Sequence, residues 1–273
     1  MTFVNTNTAA LKAQLASKIV NVKLTESGER LSSGRRINSS ADDAAGSAVG
    51  LKLHAQLQGQ KAAIKTASDA ISLLKLQEAG TSQFVTIIGR IRELSIQMAS
   101  GSYSDNDRSL AQLEVDALSS QIEKVASGTM FNNKQILNAS SSTTYQIQAG
   151  SKKNETFTIT VIQGATLSSD VSSDADVTTQ LNARSTMNKM LTHSQTAKEY
   201  LATIGASINR LSSVINNLSS SAVNTEVAFG RVVDTDYARE AINFAKQNVL
   251  TSVSQQMLAN ANRSKRLITM LLE

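Results

Sequence analysis

Residues 201–229 read LATIGASINRLSSVINNLSSSAVNTEVAF, and this stretch decides the fold class. Leu201, Ile204, Ile208, Leu211, Ile215, Leu218 and Ala222 alternate steps of three and four residues, and Thr225 and Phe229 continue the register. A seam held over four heptads, apolar up to Thr225, predicts a long coiled-coil helix. One seam cannot bury itself, so the first half of the chain is read for partners. Phe84, Ile87, Ile91, Leu94 and Met98 carry the same spacing. Leu57, Ile64, Ala67, Ile71 and Leu74 keep the register with a polar gap at Gln60, and Val115, Leu118, Ile122 and Val125 extend the theme.

Local signals divide these helices. Gly34, after Ser32 and Ser33, is a helix stop, because glycine tolerates the left-handed conformation there. Asn38-Ser39-Ser40 followed by Asp42-Asp43 reads as an N-cap and an acidic first turn. Ser104 with Asp107 forms a cap pair for the next helix, which Gly128 ends. The centre changes period: Tyr145 to Gln148 and Thr156 to Val161 alternate apolar and polar, with a polar segment between them. This predicts one β-hairpin around 145–161. Residues 164–180 read as an exposed loop. The expected fold is therefore mainly α, with long antiparallel coiled-coil helices from both chain ends and one small β-hairpin region.

Composition narrows the function. The 273 residues include no Cys, Pro or Trp, and aromatic residues make up 4%. The missing Cys removes disulfides, thiolate metal sites and thiol nucleophiles, and the missing Pro leaves long helices unbroken. Scarce aromatics point to thin helical layers. Lys and Arg total 27 against 22 Asp and Glu, a net charge of +5, which gives only a weak nucleic-acid prior. Arg35-Arg36 and the Arg263–Arg266 cluster have no interleaved aromatics, so a basic coiled-coil nucleic-acid-binding protein is the alternative from a different class, and no nucleic-acid partner is expected. His54 and His193 lack ligand-spaced company, phosphate-loop and nucleophile-elbow motifs are absent, and Asp42 and Asp43 diverge on a helix. No enzyme activity, catalytic residue, cofactor or metal is expected. No stretch reaches ~18 consecutive apolar residues, so no membrane insertion is expected. Residues 1–24 lack a basic start and an apolar core, which fits a cytosolic protein or one exported without a cleaved signal.

Several stretches carry a family resemblance. Glu29 to Gly46 (ERLSSGRRINSSADDAAG) closely resembles the N-terminal signature of bacterial flagellins. Asp69 to Ser72, Gln77 to Gly80, Arg90 to Gln97 and Phe131 to Leu137 resemble its next blocks, in order and spacing. Asp234 to Glu240 (DTDYARE) and Met257 to Asn262 (MLANAN) resemble its C-terminal elements. The resemblance implies a short flagellin lacking large outer variable domains. It implies a structural subunit that polymerises into the helical filament of the bacterial flagellum, the propeller for swimming motility, secreted through a type III export channel to an extracellular filament. A hook–filament junction protein shares the terminal helices and is the nearer alternative.

The implied division is an inner terminal coiled-coil domain, 1–40 with 235–273, and an outer α-rod domain, 41–234. The implied partners are further copies in a homopolymer, an export chaperone, a capping protein and a vertebrate innate flagellin receptor. Subunit assembly is expected of Leu11, Leu15, Ile19, Val22, Arg30, Leu31, Ile37, Asn38, Asp42, Asp43, Asp236, Tyr237, Val253, Met257 and Leu271. Ile242 and Val249 belong to the same apolar stripe as Val253 and Met257. Arg90, Leu94, Gln97 and Glu114 match positions that face the innate receptor in many flagellins. The chain departs from the family at Lys265, where a Pro commonly stands, and at its end, Leu271-Leu272-Glu273.

Overall fold

The computed structural model describes residues 6–138, 144–150 and 152–270; within 265–270 it describes only the side chain of Arg266. Leu271, an expected assembly residue, lies outside the described residues. Six helices are described: α1 Thr8–Ser33, α2 Ala44–Met98, α3 Asp105–Gly128, α4 Gly164–Asp174, α5 Gln180–Val233 and α6 Tyr237–Met270. Two antiparallel hairpins accompany them, β1 Met130–Phe131 with β2 Lys134–Gln135, and β3 Thr144–Gln148 with β4 Thr156–Thr160. The chain forms two compact units, residues 1–56 with 224–273, and residues 57–223.

The central unit is built on the heptad seams. Phe84, Ile87, Ile91, Leu94 and Met98 of α2 are all buried, as are Ile204, Leu211 and Ala222 of α5. Val115, Ile122 and Ala126 of α3 join the same core. Gln60, the polar gap in the α2 seam, is buried as well, and its Nε2 donates to Ser221 Oγ at 2.8 Å. Alternation in the β3–β4 hairpin does what period two requires. Tyr145 pairs with Ile159 and Ile147 with Phe157, and these four turn toward the core while the Thr and Gln residues between them face water.

The β1–β2 hairpin closes on Asn132 and Asn133, with φ of 48° and 61°. Two consecutive positive φ angles define the tight turn that matches strand twist, and asparagine is one of the few side chains that accept them. The turn sends Ile136 and Leu137 back onto α2. There Gln77 Nε2 donates to the Ile136 carbonyl at 2.8 Å. A Cβ on Gly80 would lie 2.3 Å from Leu137 Cδ1, so any larger residue there would force the buried Leu137 side chain to shift.

Two local expectations are corrected. Residues 164–174 form α4 rather than a loop, with Leu167, Ser168 and Val171 buried. The Ser- and Asp-rich composition resembles a turn, but apolar residues four apart give the helix a buried face that overrides it. The cap of α2 also differs. Asp43 Oδ1 accepts from the Gly46 amide at 2.8 Å, so Asp43, not the Asn38–Ser40 group, caps the helix, and neither aspartate lies in its first turn. By contrast, the Ser104–Asp107 capping box is present as read.

Arg108 is the buried residue that the sequence patterns did not reveal. Only 5% exposed, its guanidinium donates to the Met98 carbonyl at 3.0 Å, the Ser100 carbonyl at 2.9 Å and Asp105 Oδ1 at 3.0 Å. It satisfies the carbonyls that the end of α2 leaves without helical partners. Replacing it in Arg108→Met keeps the bulk but strands those acceptors. The substitution is expected to cost about 3 kcal/mol, read as a lower urea midpoint of the full-length chain, with far-UV helicity retained.

Candidate assembly surfaces

The terminal unit pairs α1 with α6 antiparallel. Three hydrogen bonds fix the direction: Asn7 Nδ2 donates to the Ala261 carbonyl at 3.0 Å, Thr251 Oγ1 to Asn21 Oδ1 at 3.4 Å, and Tyr237 Oη to the Leu31 carbonyl. The seam between the helices keeps strict heptad steps on both sides. On α1 the covered positions are Ala10, Ala13, Ser17, Val20, Leu24, Ser27 and Leu31; on α6 they are Glu240, Phe244, Gln247, Thr251, Ser254, Leu258 and Ala261. Nine of these fourteen side chains are polar or alanine. Glu240 Oε1 and Gln247 Oε1 are buried and have no hydrogen-bond partner among the described residues. Packing small and polar groups removes little apolar area from water, and each orphaned oxygen subtracts from the pair's stability.

The larger apolar side chains lie outside this seam. Leu11, Leu15, Ile19 and Val22 are 49–60% exposed on α1. Ile242, Val249, Val253 and Met257 are similarly exposed on α6. Two continuous apolar stripes on one helix pair are more than scattered surface residues, and such surfaces mark association sites. Sequence reading had found the stripes by their hydrophobicity. The pairing of the two chain ends was expected, but not the residues of the seam, because that seam is not hydrophobic; the regular spacing of Ala, Ser and Thr was the available signal.

The remaining expected assembly residues meet at the turn between the two terminal helices. Gly34 ends α1 at φ +70°, with its amide donating to the Arg30 carbonyl at 2.9 Å. The Tyr237 ring packs over it: a Cβ on Gly34 would lie 3.8 Å from Tyr237 Cε2. Arg35 and Asp234 form an isolated antiparallel bridge, and the Thr235 amide donates to the Gly34 carbonyl at 3.0 Å. The Arg36 amide reaches the Val233 carbonyl and its guanidinium reaches the Val232 carbonyl, each at 2.7 Å. Asp236 Oδ1 caps α6 through the Ala238 and Arg239 amides. Leu31 is half-buried, Ile37 is buried, and Asn38 and Tyr237 are exposed. Two sequence elements about two hundred residues apart are thus one structural device.

The Asp42 carboxylate accepts from the Asn38 amide at 3.0 Å and from the Ser39 amide at 2.8 Å. The backbone bonds from Ser39 and then Asn38 hold its pKa below the usual aspartate value, because they favour the charged form. Beside this turn an open groove of about 440 Å³ is lined by Arg35, Ile37, Leu51, His54, Phe229 and Val233, among others.

In the central unit the expected receptor positions divide. Arg90 and Glu114 are exposed and joined at 2.8 Å, with Glu93 also within 3.4 Å of Arg90. Gln97 is exposed, whereas Leu94, 4% exposed, belongs to the core. Asp174 holds both Lys189 Nζ at 2.8 Å and His193 Nε2 at 2.9 Å. Burial raises its pKa, but the hydrogen bonds from Lys189 and His193 outweigh that and keep it low. This cluster ties α4 to α5. Among the described residues no three His, Cys, Asp or Glu side chains are grouped to hold a metal ion.

Comparison with known proteins gives a consistent answer. The family model of the bacterial flagellin N-terminal helical region matches residues 4–142, and that of the C-terminal helical region matches residues 192–272. A flagellin of Listeria innocua is 32% identical, covering 98% of this chain and 99% of its own. Flagellin FlaB2 of Treponema pallidum is 30% identical, again covering 98% and 99%. The crystal structure of Bacillus cereus flagellin superposes with a TM-score of 0.52 at 26% identity, over 60% of this chain and 94% of that one.

Two outcomes follow from this geometry. Gln247→Leu replaces an orphaned buried amide by an apolar group of similar volume. It is expected to stabilise the α1–α6 pair by about 1 kcal/mol, seen as slower amide exchange across both helices of the free chain. Asp42 contributes stability that is complete above its unfolded pKa of about 3.8 and is lost as pH falls through the lower folded value. Asp42→Asn therefore lowers stability at neutral pH, and the difference from the parent shrinks below about pH 4 in acid titrations followed by circular dichroism.

Proposed function

The chain belongs to the bacterial flagellin family, and on that premise we propose that it builds its filament by burying the exposed stripes of α1 and α6 between subunits. It is a structural protein, a subunit of the flagellar filament. The observation that carries the assembly reading is the inverted distribution of apolar residues in the terminal unit. The seam within the chain holds Ala13, Ser17, Ser27, Gln247, Thr251 and Ser254, while Leu15, Ile19, Val253 and Met257 remain uncovered. Neighbouring copies supply the missing cover, and the chain ends become fully ordered as the filament grows. Contacts that join different faces of successive copies propagate as a helix where the rotation between copies does not close a ring.

The inner domain of this proposal comprises 1–40 with 235–273, and the outer domain comprises 41–234. Arg30, Leu31, Ile37, Asn38, Asp42, Asp43, Asp236 and Tyr237 act in it by fixing the turn from which both stripes depart. The filament serves as the propeller for swimming and stands outside the cell. Export proceeds with the terminal segments unpaired, under an export chaperone that covers an apolar stripe, and subunits add beneath a capping protein. A weak α1–α6 seam suits such transit, since little folding free energy must be surrendered before passage.

A second reading concerns the exposed Arg90–Glu114 pair, which joins α2 to α3 and has Gln97 on the same outer surface of α2. We propose these three as the surface presented to the vertebrate innate receptor, with Leu94 supporting it from the core. Monomer is expected to activate a receptor-reporter cell line, and Arg90→Glu to reduce the response by about tenfold. No response to the parent chain at high concentration removes this reading.

The assembly reading is tested by Ile19→Asp and Met257→Asp. Both positions are exposed, so the free chain is expected to retain its circular dichroism and urea midpoint. Polymerisation from seeds is expected to fail, because each charge would be desolvated without a partner. Filaments of normal length from either variant, seen by electron microscopy, would exclude the stripes as the buried surfaces.

A further inference from the structure

The groove beside Arg35 is not accounted for by the terminal stripes. Its lining combines the apolar Ile37, Leu51, Phe229 and Val233 with Arg35, His54 and several serines. Leu51 is 69% exposed. The aspartates of the adjoining turn are already engaged: Asp42 by the Asn38 and Ser39 amides, and Asp43 by the Gly46 amide and the Arg36 guanidinium. The Arg35 side chain is exposed and has no ion pair among the described residues. The groove therefore offers apolar contact with an exposed cation beside it; Asp234, opposite Arg35 in the bridge, forms no ion pair with it.

A complementary ridge exists on α3. Leu110 and Leu113 are 60% and 65% exposed and one helical turn apart. Asp107 precedes Leu110 by three residues and Asp116 follows Leu113 by three, so the two carboxylates flank the leucine ridge on its opposite sides. Their hydrogen-bond partners are neutral: Ser104 for Asp107 and Gln112 for Asp116. The exposed charged residues of α3 are Asp105, Asp107, Glu114, Asp116, Glu123 and the single cation Lys124, while Arg108 is buried. The terminal stripes have the opposite character. Lys12, Lys18 and Lys23 interleave the α1 stripe and Lys246 the α6 stripe, with no acid between residues 11 and 23 or between 242 and 257. Charge thus selects the α3 ridge over either stripe as the occupant of the groove.

We propose that the Leu110–Leu113 ridge of one copy seats in the Arg35–Leu51 groove of a second copy, with Asp116 facing Arg35. The two patches differ, so the contact is heterologous and can repeat from copy to copy along a filament. The charges steer and set register, and the leucines supply the burial. This contact rests on the filament reading and adds a second subunit interface to it, separate from the terminal stripes.

The parent chain has no cysteine, so paired substitutions report contacts without background. Filaments of Leu51→Cys/Leu113→Cys are expected to give a ladder of covalent multimers on a denaturing gel after mild oxidation. Mixed filaments of the two single variants are expected to give dimers, and filaments of either single variant alone only monomers. Parent-like filaments without a ladder, or dimers from one single variant alone, overturn the pairing. Charge reversal covers the case in which cysteine variants do not polymerise. Arg35→Glu and Asp116→Lys are each expected to raise the critical concentration about tenfold, and the double variant to return to within about twofold of the parent. Additive losses in the double variant overturn the pairing as well. If the parent chain itself forms no filaments, the filament reading fails; if it forms them and these tests are negative, only the groove contact fails.

Discussion

The structure depends on an uneven distribution of apolar surface. A helix pair normally turns its most apolar stripe inward, because burial of that stripe is what offsets the entropy of ordering two chains. In α1 and α6 the inward stripe is the poorer one. Ser27, Ser254 and Gln247 occupy positions where a self-sufficient coiled coil would carry Leu or Ile. The better stripe points outward. In the proposed assembly, folding of this unit is coupled to association, and the free energy missing from the seam is supplied by neighbours.

The central unit follows the opposite rule. Phe84, Ile88, Ile91, Ile122, Met190 and Leu211 are fully buried, and the large polar side chains set among them are anchored by hydrogen bonds, although Gln60 Oε1 and Gln77 Oε1 are left without a partner among the described residues. Gln60 meets Ser221, Gln77 meets the Ile136 carbonyl, and Arg108 meets two carbonyls and a carboxylate. One chain thus combines a part that closes its own core with a part that cannot. The turn at Gly34–Ile37 and Val232–Tyr237 needs no apolar burial to hold its shape. Its backbone bonds are directional, and the bridge, the Arg36 contacts and the Tyr237 hydroxyl define the exits of both helices independently of how firmly the seam is packed.

Much of this was legible in the sequence, for definable reasons. The α2 and α5 seams are periodic over many turns, and long periodic signals survive local noise. Gly34 and the Ser104–Asp107 box follow from backbone needs that few residues meet. What sequence reading lost shares a different cause. Helix α4 is written mostly in Ser, Asp and Thr, and only Leu167 and Val171 mark its buried face. The role of Asp43 as the cap depended on one hydrogen bond to Gly46 that composition cannot rank against Ser39 or Ser40. Arg108 was hidden because a lone arginine on a helix ordinarily faces water, and its burial arises from where the chain turns after Met98. The apolar stripes were visible, but the seam that shows they are spare was not, since small residues leave no hydropathy signal.

The weakness of the α1–α6 seam is itself a selective feature. If Gln247, Thr251 and Ser254 were leucines, α6 would present two apolar faces of comparable strength. Alternative pairings would then compete, with α1 seated on either face and with like helices of other copies in several registers. A polar, small-residue seam keeps the intramolecular pairing at low stability and gives alternative registers little apolar area to gain. The strong stripe is then free for one kind of contact only. Ordering the terminal unit absorbs several kcal/mol of gross interaction energy. That cost falls when a growing surface already presents the complementary faces, so addition at an existing end is favoured over pairing of free chains. In the proposed assembly, weak packing within the chain and strong packing between copies of the same helices direct growth to filament ends, a property that neither stripe nor seam has alone.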